Sequence, residues 1–110
     1  MPDPATRKPS SRPIMVLLAL LGRRWTLRVI WELRGDAPLT FRELQRSCDE
    51  MSSSVLSRRL AELKRADIVA VVRDGYVLTA RGRELLALFG PLNAWAEAWA
   101  RRAGDLPPEG

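Results

Sequence analysis

The chain has 110 residues, 46% of them hydrophobic and 28% charged, with a net charge of +5 at pH 7, which is the length of one domain with material for one small core. It contains no histidine and a single cysteine, Cys48, so a Cys/His metal site, an internal disulfide and His-based catalysis are excluded; neither an enzyme nor a cofactor is expected. The positive charge is nearly all arginine and leans towards a polyanionic partner, although a GC-rich genome produces the same bias.

Residues 1–12 hold prolines, serines and basic charges with nothing to bury, and are expected to form a disordered basic arm. Residues 104–110 are expected to be a disordered tail, leaving 13–103 as the folded domain. The arm followed by "IMVLLALLG" has the outline of a secretory signal, but the apolar run is short, ends in "GRRW" and has no small-x-small cleavage site. Nothing approaches the roughly 18 apolar residues of a membrane span. A cytoplasmic protein with no membrane partner is expected.

A first apolar helix is predicted over Pro13 to Leu21, with Pro13 in the first turn, where a missing N–H costs nothing, and Gly22 at its end. A second is predicted from Trp25 to Arg34, with Trp25, Val29, Ile30 and Leu33 on one face. Leu27 and Trp31 fall on the other side, so this helix is expected to be buried nearly all round. Thr40 and Glu43 form a capping box and Leu39 with Leu44 a hydrophobic staple, opening a short helix at Phe41 that runs to about Ser47. After the turn "CDEM", Ser52 caps a longer helix, with Met51 and Leu56 as a second staple. Short helix, tight turn and longer helix is helix-turn-helix spacing.

Beyond Asp67 the period shortens. "IVAVVR" and "YVL" flank Asp74-Gly75, a pair that tolerates positive φ and predicts a hairpin turning on those two residues. The expected fold is therefore mainly α with a small β-hairpin wing, a winged helix-turn-helix. Thr79 caps a last helix expected to run to about Arg102, about 34 Å at about 1.5 Å per residue, with Pro91 kinking it near Ala87 to Gly90.

The recognition helix is expected over about 53–66. At about 100° per residue, Leu56, Leu60 and Leu63 project into the core, with Arg59 beside them, while Ser54, Ser57, Arg58, Ala61 and Arg65 lie opposite. Small hydroxyls at Ser53 and Ser54 let the backbone approach DNA closely, and Ser57 and Arg58, one turn further, reach towards base edges in the major groove. Arg59, Lys64, Arg65, Arg42 and Arg73 are the expected contacts on or near phosphates. Arg59 has two expected ends, a phosphate or Glu62. A plainer reading leaves Ser52 as a cap and pairs Arg58 with Glu62 at i, i+4 on a solvated face.

Leu85, Leu88, Leu92, Trp95 and Trp99 recur at spacings of a/d type, a seam that a domain this small cannot cover. With the apolar first helix, they predict a two-fold homodimer through Ile14, Leu17, Leu18, Leu21, Leu88, Leu92, Trp95 and Trp99, unless the two helices satisfy each other within one chain. A small-molecule effector pocket between these helices, lined by Trp25, Trp31, Trp95 and Trp99, is a further expectation beside the plainer one that these tryptophans are core.

"GRRWTLRVIWEL", "PLTFRELQRS", "MSSSVLSRRLAELKRADIV" and "YVLTARGRELL", with a Trp at 95, resemble the HxlR-type transcriptional regulators, relatives of the MarR group. The resemblance spans about Pro13 to Trp99 in order. It implies a bacterial, homodimeric, double-stranded DNA-binding regulator, often a repressor or a local activator, that dimerises through its first and last helices; a two-fold dimer would place its two recognition helices on a pseudo-palindromic operator. It also implies a sensing cysteine before the proline of the first helix; Arg12 stands there instead. Cys48 falls where the family has an apolar core residue, and is read as a small buried hydrophobe rather than a sensor. The wing lacks the family's Pro-rich stretch, with "RDG" in its place. The competing function is a winged-helix protein–protein interaction module that binds no DNA.

Overall fold

The computed structural model describes residues 12–108. In chain order these form helices α1 (Pro13–Leu21), α2 (Thr26–Glu32), α3 (Phe41–Ser47) and α4 (Ser53–Arg65), strands β1 (Val69–Val72) and β2 (Gly75–Leu78), and helices α5 (Ala80–Ala87) and α6 (Phe89–Ala103). Most of the arm, residues 1–11, and the end of the tail, 109–110, lie outside the described residues. Residues 105–108 hold no helix or strand.

One apolar cluster organises the domain. Val29, Ile30 and Leu33 of the α2 region, Leu44 of α3, Leu56, Leu60 and Leu63 of α4, and Ile68, Val69 and Leu78 of the hairpin are all buried together. Each such side chain contributes about 1.5–3 kcal/mol by leaving water, and the helical spacing of the leucines in α4 turns that gain into one docked face.

Helix α1 begins at Pro13 and ends at Gly22, whose N–H donates to the Leu18 carbonyl at 2.9 Å. None of its residues is buried; Leu20 and Leu21 reach the edge of the core, while Ile14, Met15, Val16 and Leu18 stay exposed. Helix α2 is shorter than expected and is not buried all round. Trp25 precedes it with a left-handed φ of 77°, and Leu27 and Trp31 face outward. The core lies on one side of this helix only, and a chain of this size has no further layer to cover the other.

Both start signals around the helix-turn-helix operate as expected. The Thr40 hydroxyl accepts from the Glu43 N–H at 3.1 Å, and the Glu43 carboxylate accepts from the Thr40 N–H at 2.9 Å. Ser52 Oγ accepts from the Val55 N–H at 3.2 Å, with Met51 and Leu56 both buried beside it. In the intervening turn Asp49 and Glu50 adopt left-handed φ values of 59° and 57°, which cost about 1–2 kcal/mol each for residues with a Cβ. Arg28 of α2 braces this turn: its guanidinium donates to the Ser47 carbonyl at 2.7 Å and pairs with Asp49 at 3.3 Å and Glu32 at 2.9 Å.

The hairpin forms one residue earlier than expected. Val69 pairs with Leu78 and Val72 with Gly75, so the two turn residues are Arg73 and Asp74, and Gly75 is the first residue of β2. Its glycine is required by a neighbour instead: Leu39 exchanges both backbone hydrogen bonds with Tyr76, at 2.8 and 3.1 Å, which brings a third chain segment against β2 at Gly75.

The last helix is also not a single rod. It breaks at Leu88 into α5 and α6. Pro91, in the first turn of α6, has no N–H to return to the carbonyl of Ala87, so the expected kink becomes a division between two helices. Thr79 caps α5 as expected, its hydroxyl accepting from the Gly82 N–H at 2.9 Å.

Candidate nucleic-acid interface

Helix α4 is divided lengthwise. Leu56, Leu60 and Leu63 are buried, and Ser53, Ser54, Ser57, Arg58, Ala61, Lys64 and Arg65 are exposed on the other side. The first-turn serines are fixed: Ser53 Oγ accepts from Gln45 Nε2 at 2.9 Å, and Ser54 Oγ shares a hydrogen bond of 2.9 Å with Ser52 Oγ. Gln45 also donates to the Met51 carbonyl at 2.9 Å, so this residue of α3 sets the leading edge of α4. Sequence reasoning missed it, because only the folded turn brings it beside Ser53.

Among the described residues, the side chains of Arg58, Lys64, Arg65 and Arg73 make no hydrogen bond or ion pair. The plainer pairing of Arg58 with Glu62 is therefore not formed. Arg73 is exposed in the hairpin turn. Arg42 donates to Gln45 Oε1 at 3.1 Å and lies 3.7 Å from Glu50, a loose and exposed arrangement worth little in water.

Arg59 is different. Its side chain is only 12% exposed, and of its two expected ends it takes Glu62, at 2.9 Å, while Nε donates to the Arg24 carbonyl at 2.8 Å.

The expected dimer residues are largely uncovered. Leu88, Leu92, Trp95 and Trp99 are exposed, Leu88 and Trp95 by 65% and 63%, as are Ile14 and Leu18. Leu17 and Leu21 are half-buried; Leu17 lines an open apolar groove of about 530 Å³ with Val16, Leu20, Ile68 and Leu85. Trp25, Trp31 and Trp95 have different surroundings. Trp25 packs on the core edge, Trp31 flanks a separate hollow with Leu86 and Phe89, and Trp95 stacks on Trp99 with ring centroids 5.8 Å apart. Cys48 is buried in the core, and removal from water pushes its thiol pKa up, with Arg28 opposing. Among the described residues no group of His, Cys, Asp and Glu is arranged to hold a metal, and no helix is long and apolar enough to cross a membrane.

A capped short helix, a tight turn, a second helix with a small-then-basic outer face and an antiparallel hairpin define a winged helix-turn-helix of the kind that regulates transcription. The chain matches the HxlR-like helix-turn-helix family over residues 20–104 and belongs to that family. It is 35% identical to the HTH-type transcriptional regulator YodB of Bacillus subtilis, with 72% of this chain and 76% of that protein covered. The crystal structure of quinone-bound YodB superposes with a TM-score of 0.72 at 34% identity, covering 77% of this chain and 96% of that one. A Thermoplasma volcanium protein described as a possible HxlR family transcriptional factor gives a TM-score of 0.68 at 26% identity, with 92% of this chain and 95% of that one covered.

Proposed function

We propose that this regulator is a homodimer that binds a pseudo-palindromic operator in double-stranded DNA, inserts α4 into the major groove and represses by occupying its site. The observation that carries this reading is the outer face of α4: hydroxyls held in place at Ser53 and Ser54, then Ser57 and an unpaired Arg58, on a helix whose opposite face is locked into the core. Small first-turn residues permit close approach, the helix N-terminus attracts phosphate, and Arg58 supplies a fork suited to guanine O6 and N7. Lys64, Arg65, Arg42 and Arg73 take the backbone role, and Arg59 has none on the DNA. The uncovered apolar surfaces of α1 and α6 supply the two-fold contact that sets two copies of α4 one helical turn apart.

An effector belongs to the proposal in a narrower form. The related YodB has been solved with a bound quinone; here Arg12 stands before the proline of α1, so a ligand is held by aromatic surface such as Trp31 or the Trp95–Trp99 stack rather than by a thiol at that position. Tryptophan fluorescence titrated with a panel including quinones reads this directly.

The test of the main reading is selection of duplexes from a random pool, followed by gel shifts of the winner against salt. Steep weakening with salt, and retention of the selected duplex over an unrelated one, are expected. No shift of any duplex at low salt overturns the reading, and favours a protein-binding use of the exposed apolar helices.

A further inference from the structure

Glu62 lies on the flank of α4 between two arginines, and each of its carboxylate oxygens takes a different one. Oε1 accepts from Arg59 at 2.9 Å, and Oε2 accepts from Arg23, a residue 39 positions earlier in the chain. The same Arg59 donates Nε to the carbonyl of Arg24. Arg23 and Arg24 belong to the corner between α1 and α2, between Gly22 at the end of α1 and the left-handed Trp25. One charge-assisted pair, Arg23–Glu62, and one hydrogen bond from Arg59 to the Arg24 backbone thus tie the recognition helix to this corner, and the Arg59–Glu62 pair joins the two within α4, on the flank of the helix one turn beyond Arg58.

The leucine stripe of α4 cannot do this by itself. Apolar burial is non-directional, so the line of Leu56, Leu60 and Leu63 holds α4 against the core without specifying its roll as sharply as directional bonds do. A roll of about 20° moves a side chain at the edge of a helix about 10 Å across by about 2 Å, more than a bidentate base contact tolerates. Charge-assisted bonds are directional, and a brace placed off the leucine line resists that roll.

We infer that Glu62 is a positioning residue for DNA reading: by holding Arg59 and Arg23 it fixes the roll of α4 against the α1–α2 corner, and so sets selectivity rather than affinity for DNA in general. This inference rests on the DNA-binding reading above.

The test uses the full chain, a duplex selected by the wild-type protein and an unrelated duplex of the same length. Glu62→Gln keeps the shape of the side chain and removes the charge. Arg23→Gln removes the corner tie and leaves the Arg59–Glu62 pair. With circular dichroism reporting the fold, Glu62→Gln is expected to lose roughly tenfold or more on the selected duplex and nothing on the unrelated one, and Arg23→Gln to lose less in the same direction. Loss of the same factor on both duplexes overturns the inference. So does tighter binding of both with a steeper salt dependence, which would mean that Glu62 only masks the charge of Arg59. If Glu62→Gln fails to fold, Arg23→Gln decides, and unchanged selectivity there is a refutation. A wild-type protein that selects no duplex removes the DNA-binding reading and this inference with it; a selective wild type with equally selective variants removes this inference alone.

Discussion

A Cβ placed on Gly75 would stand 2.2 Å from the carbonyl oxygen of Leu39, the residue that leads into the capping box of α3. The wing and the helix-turn-helix are therefore joined through backbone at a point where no side chain fits, and Gly75 also holds a φ of 138°. Gly75→Ala is expected to destabilise the domain by about 1–3 kcal/mol, because both the clash and the dihedral must be relieved. Thermal unfolding of the variant checks this; a midpoint equal to wild type would mean that the bridge between Leu39 and Tyr76 is dispensable.

The capping box predicts a dependence on pH. Hydrogen bonds from the Thr40 backbone and then the Thr40 side chain hold the Glu43 carboxyl below its ordinary pKa, with Arg46 adding to the effect. A depressed carboxyl contributes stability that is present above its unfolded pKa and disappears as pH falls through the folded value. Wild type should therefore exceed Glu43→Gln in melting temperature at neutral pH, and the two should converge on acidification below the carboxylate range. A constant gap across the titration would show that the charge is not what the cap uses.

Much of this architecture was legible because its signals are local. Thr40 with Glu43, Ser52 with Val55 and the leucine spacing of α4 are decided within one or two turns, and each forms as the sequence implies. What was not legible depends on distant partners or on how little chain there is. The hairpin turned at Arg73-Asp74 because Leu39, far back in the chain, pairs with Tyr76 and requires the glycine in the strand. Leu27 and Trp31 read as core by composition, yet α2 has only one layer to face. At the candidate site the outward face of α4 followed from periodicity, whereas the Gln45 contact to Ser53 and the reach of Arg23 to Glu62 are products of the fold.

Cys48 is expected to be inert in the native protein. It lies fully buried in the core, and its raised pKa means that the thiol stays protonated at neutral pH. A thiol reagent should label it slowly under native conditions and at once in denaturant. A folded-state pKa raised in this way contributes stability that is complete below the ordinary thiol value and is lost as pH rises through the folded one. Cys48→Ser should cost about 1–3 kcal/mol by burying a hydroxyl without a partner, and fast native labelling would contradict the assignment.

The Trp95–Trp99 stack should matter to assembly and not to the fold of one chain. Both rings are exposed, Trp95 by 63%, and neither belongs to the core. Replacing either by Ala should leave the helical signal intact while weakening the proposed dimer by about 2 kcal/mol or more, roughly thirtyfold in its dissociation constant. Light scattering over a dilution series measures this. A wild type that is monomeric throughout, or a variant that dimerises as tightly, would remove α6 from the interface.

Arg58 and Arg65 share an exposed face of α4 where neither side chain is paired, but sit two turns apart along it, and the DNA-binding proposal gives them different work. In the proposed complex Arg58, one turn from the N-terminal end, meets a base edge, and Arg65, at the last residue of the helix, meets backbone phosphate. Arg58→Ala should lose about 1–3 kcal/mol on the selected duplex and tolerate more bases at one position, with little change on unrelated DNA. Arg65→Ala should weaken both duplexes by a similar factor and lower the salt dependence by about one phosphate contact. Selection repeated with each variant separates the two roles, because a base contact changes which sequences are recovered and a phosphate contact does not. If both variants recover the wild-type sequences, Arg58 is a phosphate ligand, and base reading falls to Ser53, Ser54 and Ser57.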